Sequence, residues 1–364
     1  MDKSEYKVSV IIPVYNATRT LERSFETVKN QTIGFSDIEL LFCDDCSTDD
    51  TFDRISLLAK EYPNVKAFKT KSNNRYGGAA RNVCLDNATA KYVMFLDADD
   101  VYTPDAVKTL YDEIEKSGVD VVSGYFSAAT ETKKGFRIEE TITEQYDAIP
   151  DGEEYDLTAQ WPALLPVCDS FTCNIYKNEI IEKNSVRFLE KCIAEDIYFL
   201  VHYNLCCKKG KYIKRHIYTY IRREGFFDNT ADKAYYLNIP IHYEKIYELL
   251  NEKKRPELFK NLFWMEYYLH DYSVTKGFTE KDTEEIIRRW WELIKIAAKI
   301  NMECTAPVIR FLVRDAKEDN FDDAVFHMEA FRALESEKRR QLDDIFGSTT
   351  WRLASTLQKL IFWK

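Results

Sequence analysis

No run of about 18 or more apolar residues occurs anywhere in the chain, so none of it reads as a membrane-spanning helix. The opening stretch MDKSEYKVSVIIP places no signal-type apolar segment ahead of its first strand. Basic residues are in deficit: 51 Lys and Arg stand against 61 Asp and Glu, a net charge of −10. No basic stripe is available to collect nucleic-acid phosphates, which excludes that class of partner. A small anionic ligand stays open, because it needs only local positive charge or a bound metal. The nine cysteines are scattered and odd in number. Cys43 and Cys46 form a CxxC and Cys206 and Cys207 are adjacent, but no second pair stands at zinc-ligand spacing, so they read as reduced packing thiols. There is no internal repeat and no low-complexity tract. The expectation is a soluble chain made in the cytoplasm.

What is present is ordinary globular composition, 45% hydrophobic, 31% charged and 14% aromatic over 364 residues. That is room for a large α/β domain with an appendage. Residues 7–124 alternate between two periods. KVSVIIPV (7–14), IELLFCDD (38–45), VKAFKT (65–70), KYVMFLD (91–97) and VDVVSG (119–124) are short, β-branched strand patterns. Between them lie helical patterns: one capped by Asn16 with Leu21, Phe25 and Val28 on a shared face, then 49–62, 77–88 and 103–116. Strand and helix in alternation predict an α/β fold with a mostly parallel sheet covered on both faces. The polar stretch 125–165 could hold hairpins or an insertion over the site. VCDSFTCNIY (167–176), a helix over 197–207 and a strand over 211–225 follow. Beyond Ala231 the chain reads as a helical C-terminal domain whose tryptophans and tyrosines are core. The expected division is 1–230, 231–345 and a basic amphipathic tail, 346–364.

Ligands of an open parallel sheet bind beyond the carboxyl ends of its strands. Each polar cluster of this sequence lies at such an end: Pro13, Tyr15 and Asn16 after the first strand, Asp44 and Asp45 after the second, Asn73 and Asn74 after the third, and Asp97-Ala98-Asp99-Asp100 after the fourth. The last cluster, in FLDADD (95–100), crowds three carboxylates into four positions. Two like charges about 4 Å apart repel by about 4 kcal/mol near a protein surface. Either the acids cap the helix that follows, or a divalent cation offsets the repulsion. Their consistent placement at the strand ends favours the cation, Mg²⁺ or Mn²⁺ by the hardness of the ligands. Such a metal at Asp97 and Asp99, with Arg81 reaching the same rim, makes a pocket suited to a diphosphate. Asp45, set back, is placed to accept hydrogen bonds from a base or ribose.

VSVIIPVYNA, LLFCDDCSTDDT, GGAARNVCLDNA and KYVMFLDADD, in this order and spacing, resemble the successive motifs of family 2 inverting glycosyltransferases with the GT-A fold. The resemblance covers about residues 7–225 and implies a GT-A catalytic domain that builds bacterial surface polysaccharide, teichoic acid or glycolipid from a nucleotide-sugar. It implies that Pro13 and Asp45 hold the nucleotide, with Asn73 and Arg81 at the donor, and that Asp97 and Asp99 form a DxD in which Asp99 ligates Mn²⁺ or Mg²⁺ directly. It makes Asp196 the catalytic base, Glu195 a contact to donor or acceptor, and Arg222 and Arg223 diphosphate contacts. Phe226 stands where relatives carry serine, which puts a hydroxyl contact there in doubt. A nucleotidyltransferase would show a Gly-rich basic loop after the first strand, where this chain has PVYNATRTLE. A non-catalytic sugar-binding protein would not need Asp97, Asp99 and Asp196 intact. Expected partners are a nucleotide-sugar, a UDP-sugar first, and a glycan or lipid-linked acceptor; the helical domain could also join copies of the chain. GSTTWRLASTLQKLIFWK (347–364) adds a membrane surface: Leu353, Leu357, Leu360 and Ile361 share a face and Trp351 and Trp363 stand near the ends.

Overall fold

A computed structural model describes residues 6–132, 135–141, 150–159, 170–222 and 231–347. The described residues form two compact units: one is the chain up to Asn229 together with Ile241–Leu262, the other Thr230–Pro240 together with the chain from Phe263. Residues 348–364, nearly all of the expected tail, lie outside the described residues.

The first unit is built on strands β1 (Val8–Val14), β2 (Ile38–Asp44), β3 (Val65–Lys69), β4 (Tyr92–Phe95), β5 (Val101–Tyr102), β6 (Val121–Thr132), β7 (Gly135–Thr141), β8 (Glu154–Asp156), β9 (Asn174–Lys177) and β10 (Lys209–Arg222). They form one sheet in the order β3-β2-β1-β4-β9-β6-β10-β5, with β7 on β6 and β8 on β10. The α/β architecture is the expected one, and the sheet is mixed. β1 to β4 pair in parallel, as do β6 and β10, whereas β9 runs antiparallel between β4 and β6. Helices α1 (Leu21–Lys29), α2 (Thr51–Glu61), α3 (Gly78–Leu85) and α4 (Ala106–Ser117) connect the N-terminal strands. Helices on both faces explain why VSVIIPV is buried almost throughout. Pro13 sits where β1 has outrun β4: the register of that pair ends at Ile11 and Phe95, so its missing N–H costs no ladder bond on that side.

One expected boundary moved. Asn16 does not cap α1, which begins at Leu21 behind Thr20. Asn16 instead lies in the left-handed region at φ 46° and accepts the Thr48 amide at 2.8 Å, tying the loop after β1 to the loop after β2. The expected hairpin in 125–165 is present as β6 and β7. The second unit packs helices Lys233–Asn238, Met265–Val274, Glu280–Lys299, Pro307–Lys317 and Phe321–Gly347. Trp290, Tyr236 and Tyr272 are buried within it, and the Trp290 indole N–H donates to the Tyr236 carbonyl at 2.9 Å. The Glu280–Lys299 helix starts with a reciprocal Thr279–Asp282 capping box.

Candidate active site

Beyond the ends of β1, β2 and β4 opens a cleft of about 350 Å³. Pro13 to Asn16 form one wall, Asp45 the floor, Asp97 to Asp99 the opposite wall, and Arg75 to Gly77 the rim. Asp45 is buried, and its carboxylate accepts from the Thr70 hydroxyl at 2.8 Å and from the Asn74 amide and side chain at 2.8 and 2.9 Å. Those bonds aim it without exhausting a carboxylate's acceptor sites. Tyr15 is half exposed, leaving a ring face available to a base.

Asn73 is not part of the cleft wall. Its amide donates to the Asp45 carbonyl at 2.9 Å, and its oxygen accepts the Arg75 N–H at 2.9 Å, which turns the chain into a left-handed Arg75 at φ 71°. Asn73 therefore shapes the loop, and Arg75, which sequence reasoning passed over, is the cation at the rim. The signal available for it was adjacency to the Asn73-Asn74 pair.

The acidic tip after β4 divides its labour. Asp100 is buried and accepts the Tyr218 hydroxyl at 2.6 Å and the Ile221 amide at 2.7 Å. Tyr218 in turn accepts the Asp97 N–H at 3.3 Å, so β10 braces the tip from behind. Burial first, and then the charges of Asp97 and Asp99, push the Asp100 carboxyl up to about 8. Arg23 on α1 donates to the Asp99 carbonyl at 2.5 Å and pairs with Glu131 at 3.1 Å.

Arg81, on the first turns of α3, is buried and does not line the cleft. Its Nη2 pairs with Asp97 at 2.7 Å and its Nη1 with Glu195 at 2.7 Å. The guanidinium lies 4.8 Å from the Phe171 ring centroid and 5.2 Å from that of Phe188. Burial opposes its charge, but Asp97 and then Glu195 outweigh that and hold it above the ordinary arginine value. Gly77 and Gly78 make the arrangement possible. A Cβ on Gly77 would lie 2.4 Å from Arg81 Nη1, and one on Gly78 only 2.1 Å from the Leu189 carbonyl oxygen.

Asp196 opens the helix Glu195–Cys206 behind a left-handed Ala194 at φ 58°, a conformation that costs about 1 kcal/mol or more for a residue with a Cβ. It faces a second cleft, of about 300 Å³, lined by Phe126, Phe171, Tyr218 and Tyr220 with Asp97 at one edge. Burial, then Glu195, push its carboxyl up, while Arg81 pulls it back. Asp97 lines both clefts. Arg222 ends β10 and is on neither wall, and Arg223 and Phe226 lie outside the described residues.

The acidic tip suits a hard divalent cation. Asp97 and Asp99 both line one cleft, and Asp97 is paired on one oxygen with Arg81. Among the described residues no three Asp, Glu, His or Cys side chains form a closed cage. Two carboxylates with open positions fit Mg²⁺ or Mn²⁺, which keep waters and share substrate phosphates; they do not fit a structural zinc.

Residues 9–184 match the family model for Glycosyl transferase family 2. YibD, an uncharacterized glycosyltransferase of Escherichia coli, is 26% identical over 74% of this chain and 77% of its own length. The poly(ribitol-phosphate) beta-N-acetylglucosaminyltransferase TarP of Staphylococcus aureus is 28% identical over 69% of this chain and 76% of its own. The fold matches the crystal structure of residues 1–349 of S. aureus TarS in complex with UDP-GlcNAc, with a TM-score of 0.68 at 20% identity, over 90% of this chain and 92% of that one.

Proposed function

We propose that this chain, which belongs to glycosyl transferase family 2 and is a glycosyltransferase, transfers a sugar from a UDP-sugar to a hydroxyl of a polyol-phosphate polymer of the teichoic acid kind, with inversion at the anomeric carbon. The observation that carries this reading is the shared Asp97, which lines both the cleft of about 350 Å³ beyond the strand ends and the cleft of Asp196. The donor assignment is supported by TarS, whose structure holds UDP-GlcNAc, and the acceptor by the poly(ribitol-phosphate) named in TarP and in a Bacillus beta-glucosyltransferase 24% identical over 79% of this chain and 44% of its own length.

In this mechanism Asp45 accepts from the base or ribose while Tyr15 packs on the base. Asp97 and Asp99 would hold Mg²⁺ or Mn²⁺, which supplies positive charge to the departing diphosphate. Arg75 adds a cation at the rim. The acceptor enters over Phe126, Phe171 and Tyr220, apolar faces that suit the carbon side of a sugar or polyol. Asp196 takes the acceptor proton as that oxygen attacks the anomeric carbon from the side opposite the diphosphate. The bond to the diphosphate breaks, and the nucleotide leaves with the electron pair. A carboxyl raised towards neutrality is a better base than an ordinary one. Glu195 and Arg81 position the two carboxylates. The sequence of the tail 347–364, with apolar residues at helical spacing and Arg352, Lys359 and Lys364 among them, supports a peripheral seat on a membrane that carries the acceptor.

The test is a screen of UDP- and GDP-sugars with poly(ribitol phosphate), in Mn²⁺ and in EDTA, with product configuration read from NMR coupling constants. Expected are transfer from a UDP-sugar, inverted product, and loss of both transfer and tight UDP binding in EDTA. Retained configuration would overturn the mechanism, and equal UDP affinity in EDTA would overturn the metal.

A further inference from the structure

The Pro307–Lys317 helix of the second unit turns Val308, Ile309, Leu312, Val313 and Ala316 into its core. Arg310, Arg314 and Lys317 stand at i, i+4 and i+7 and share the exposed side. At about 1.5 Å per residue they span about 10 Å along the axis. With Met302, Cys304 and Val313 they line a groove of about 280 Å³ that has no carboxylate on its walls. Glu303, Glu318 and Asp319 are near in sequence but do not line it. In a chain of net charge −10, three cations on one acid-free groove are a local reversal of sign.

The middle cation is fixed in advance. Arg314 donates from Nε and Nη2 to Oδ1 of the buried Asp315 at 3.1 and 2.9 Å, and its guanidinium lies 5.0 Å from the Phe311 ring centroid. His327 engages the other Asp315 oxygen through Nδ1 at 2.7 Å and stacks on Phe311. Asp315 absorbs part of the Arg314 charge, so the outer cations dominate the potential. Lys317 bonds the neutral amide oxygen of Asn301 at 3.2 Å, and Arg310 has no ion pair among the described residues. Exposed cations bind a single anion weakly. A row of them gains most from a ligand that carries several anions on one backbone, since each contact raises the effective concentration of the next.

We infer that this groove grips consecutive phosphates of a phosphodiester polymer, a hold on the acceptor made by the helical unit and not by the transfer site. The inference rests on the polyol-phosphate acceptor assigned above. Its test titrates poly(ribitol phosphate) and, in parallel, inorganic polyphosphate into the full chain and into the double variant Arg310→Gln, Lys317→Gln, at rising salt. Expected is binding at low ionic strength that weakens about tenfold in the double variant, with the gap closing as salt screens it. Arg310→Glu alone should lose at least as much. An unchanged melting temperature certifies that both variants fold. Equal polymer affinity in wild type and variants would overturn the inference. So would loss of binding to phosphatidylglycerol vesicles with polymer affinity intact, which would assign the groove to a lipid surface. Transfer by the wild type to poly(ribitol phosphate) is assayed separately: its absence would remove the acceptor reading, while the affinity comparison still decides the groove.

Discussion

Asp100 and Asp196 are both carboxyls raised by burial, yet they lead to opposite uses. Asp100 is raised to about 8, so over the range from about 4 to 8 it keeps its proton in the fold and loses it in the unfolded chain. Its contribution to stability is therefore full below the ordinary carboxyl range and is lost as pH rises through about 8. Asp100→Asn keeps an oxygen for the Ile221 amide and offers N–H to the Tyr218 oxygen, but cannot ionise. The melting temperature of the variant should gain on the wild type between about pH 5 and 8, and parallel curves would refute the protonated carboxyl. Asp196 must instead be ionised to act. Turnover should fall as pH drops through its raised value, above the usual carboxylate range. Asp196→Asn should lose about 10²- to 10⁴-fold in kcat while still binding UDP. A variant with unaltered turnover would show that another group takes the proton.

At the scale of elements, α3 is seated by close backbone approach. A Cβ on Gly78 would lie 2.1 Å from the Leu189 carbonyl oxygen, a backbone atom that cannot swing aside. Gly78→Ala should cost about 1 to 3 kcal/mol in thermal unfolding, and because α3 carries Arg81 it should also lower turnover. Wild-type stability would show that the Leu189 segment yields. This contact was not legible in the sequence, where Gly77-Gly78 read only as a helix opening. The strands and helices that carry the donor cleft were legible, because β1 to β4 and their helices are local patterns of period two and 3.6. What escaped were pairings between distant segments: β9 slipping antiparallel between β4 and β6, Tyr218 of β10 holding Asp100, and Phe126, Phe171 and Tyr220 meeting over Asp196. Periodicity marks which residues are buried and says nothing of which strand lies beside which. Arg81 shows the same limit. A cation near a carboxylate-rich rim reads as a phosphate contact or as an ion pair, and the sequence gives no sight of its two partners at 2.7 Å.

At the scale of the whole molecule, the two units are not consecutive pieces of chain. Helices Pro240–Glu252 and Phe259–Leu262 fall almost wholly within the first unit, although the chain reaches them through Thr230–Pro240 of the second. Ile246, Leu249, Leu250, Leu258 and Phe259 are all buried. Each such side chain is worth about 1.5 to 3 kcal/mol when buried, and a domain's net stability is only about 5 to 15 kcal/mol. A fragment ending at Asn229, one residue short of the boundary expected from the sequence pattern, gives up all five contributions and exposes the core beneath them. A fragment ending at Leu262 keeps them and forfeits only the helices of the second unit. Fragment 1–262 should therefore unfold cooperatively and bind UDP in Mn²⁺ with the affinity of the full chain, whereas 1–229 should aggregate or bind no nucleotide. Tight UDP binding by 1–229 would mean that the strands and α1 to α4 suffice for the donor cleft. Failure of 1–262 to fold would mean that the second unit, and not the 241–262 helices, completes the core.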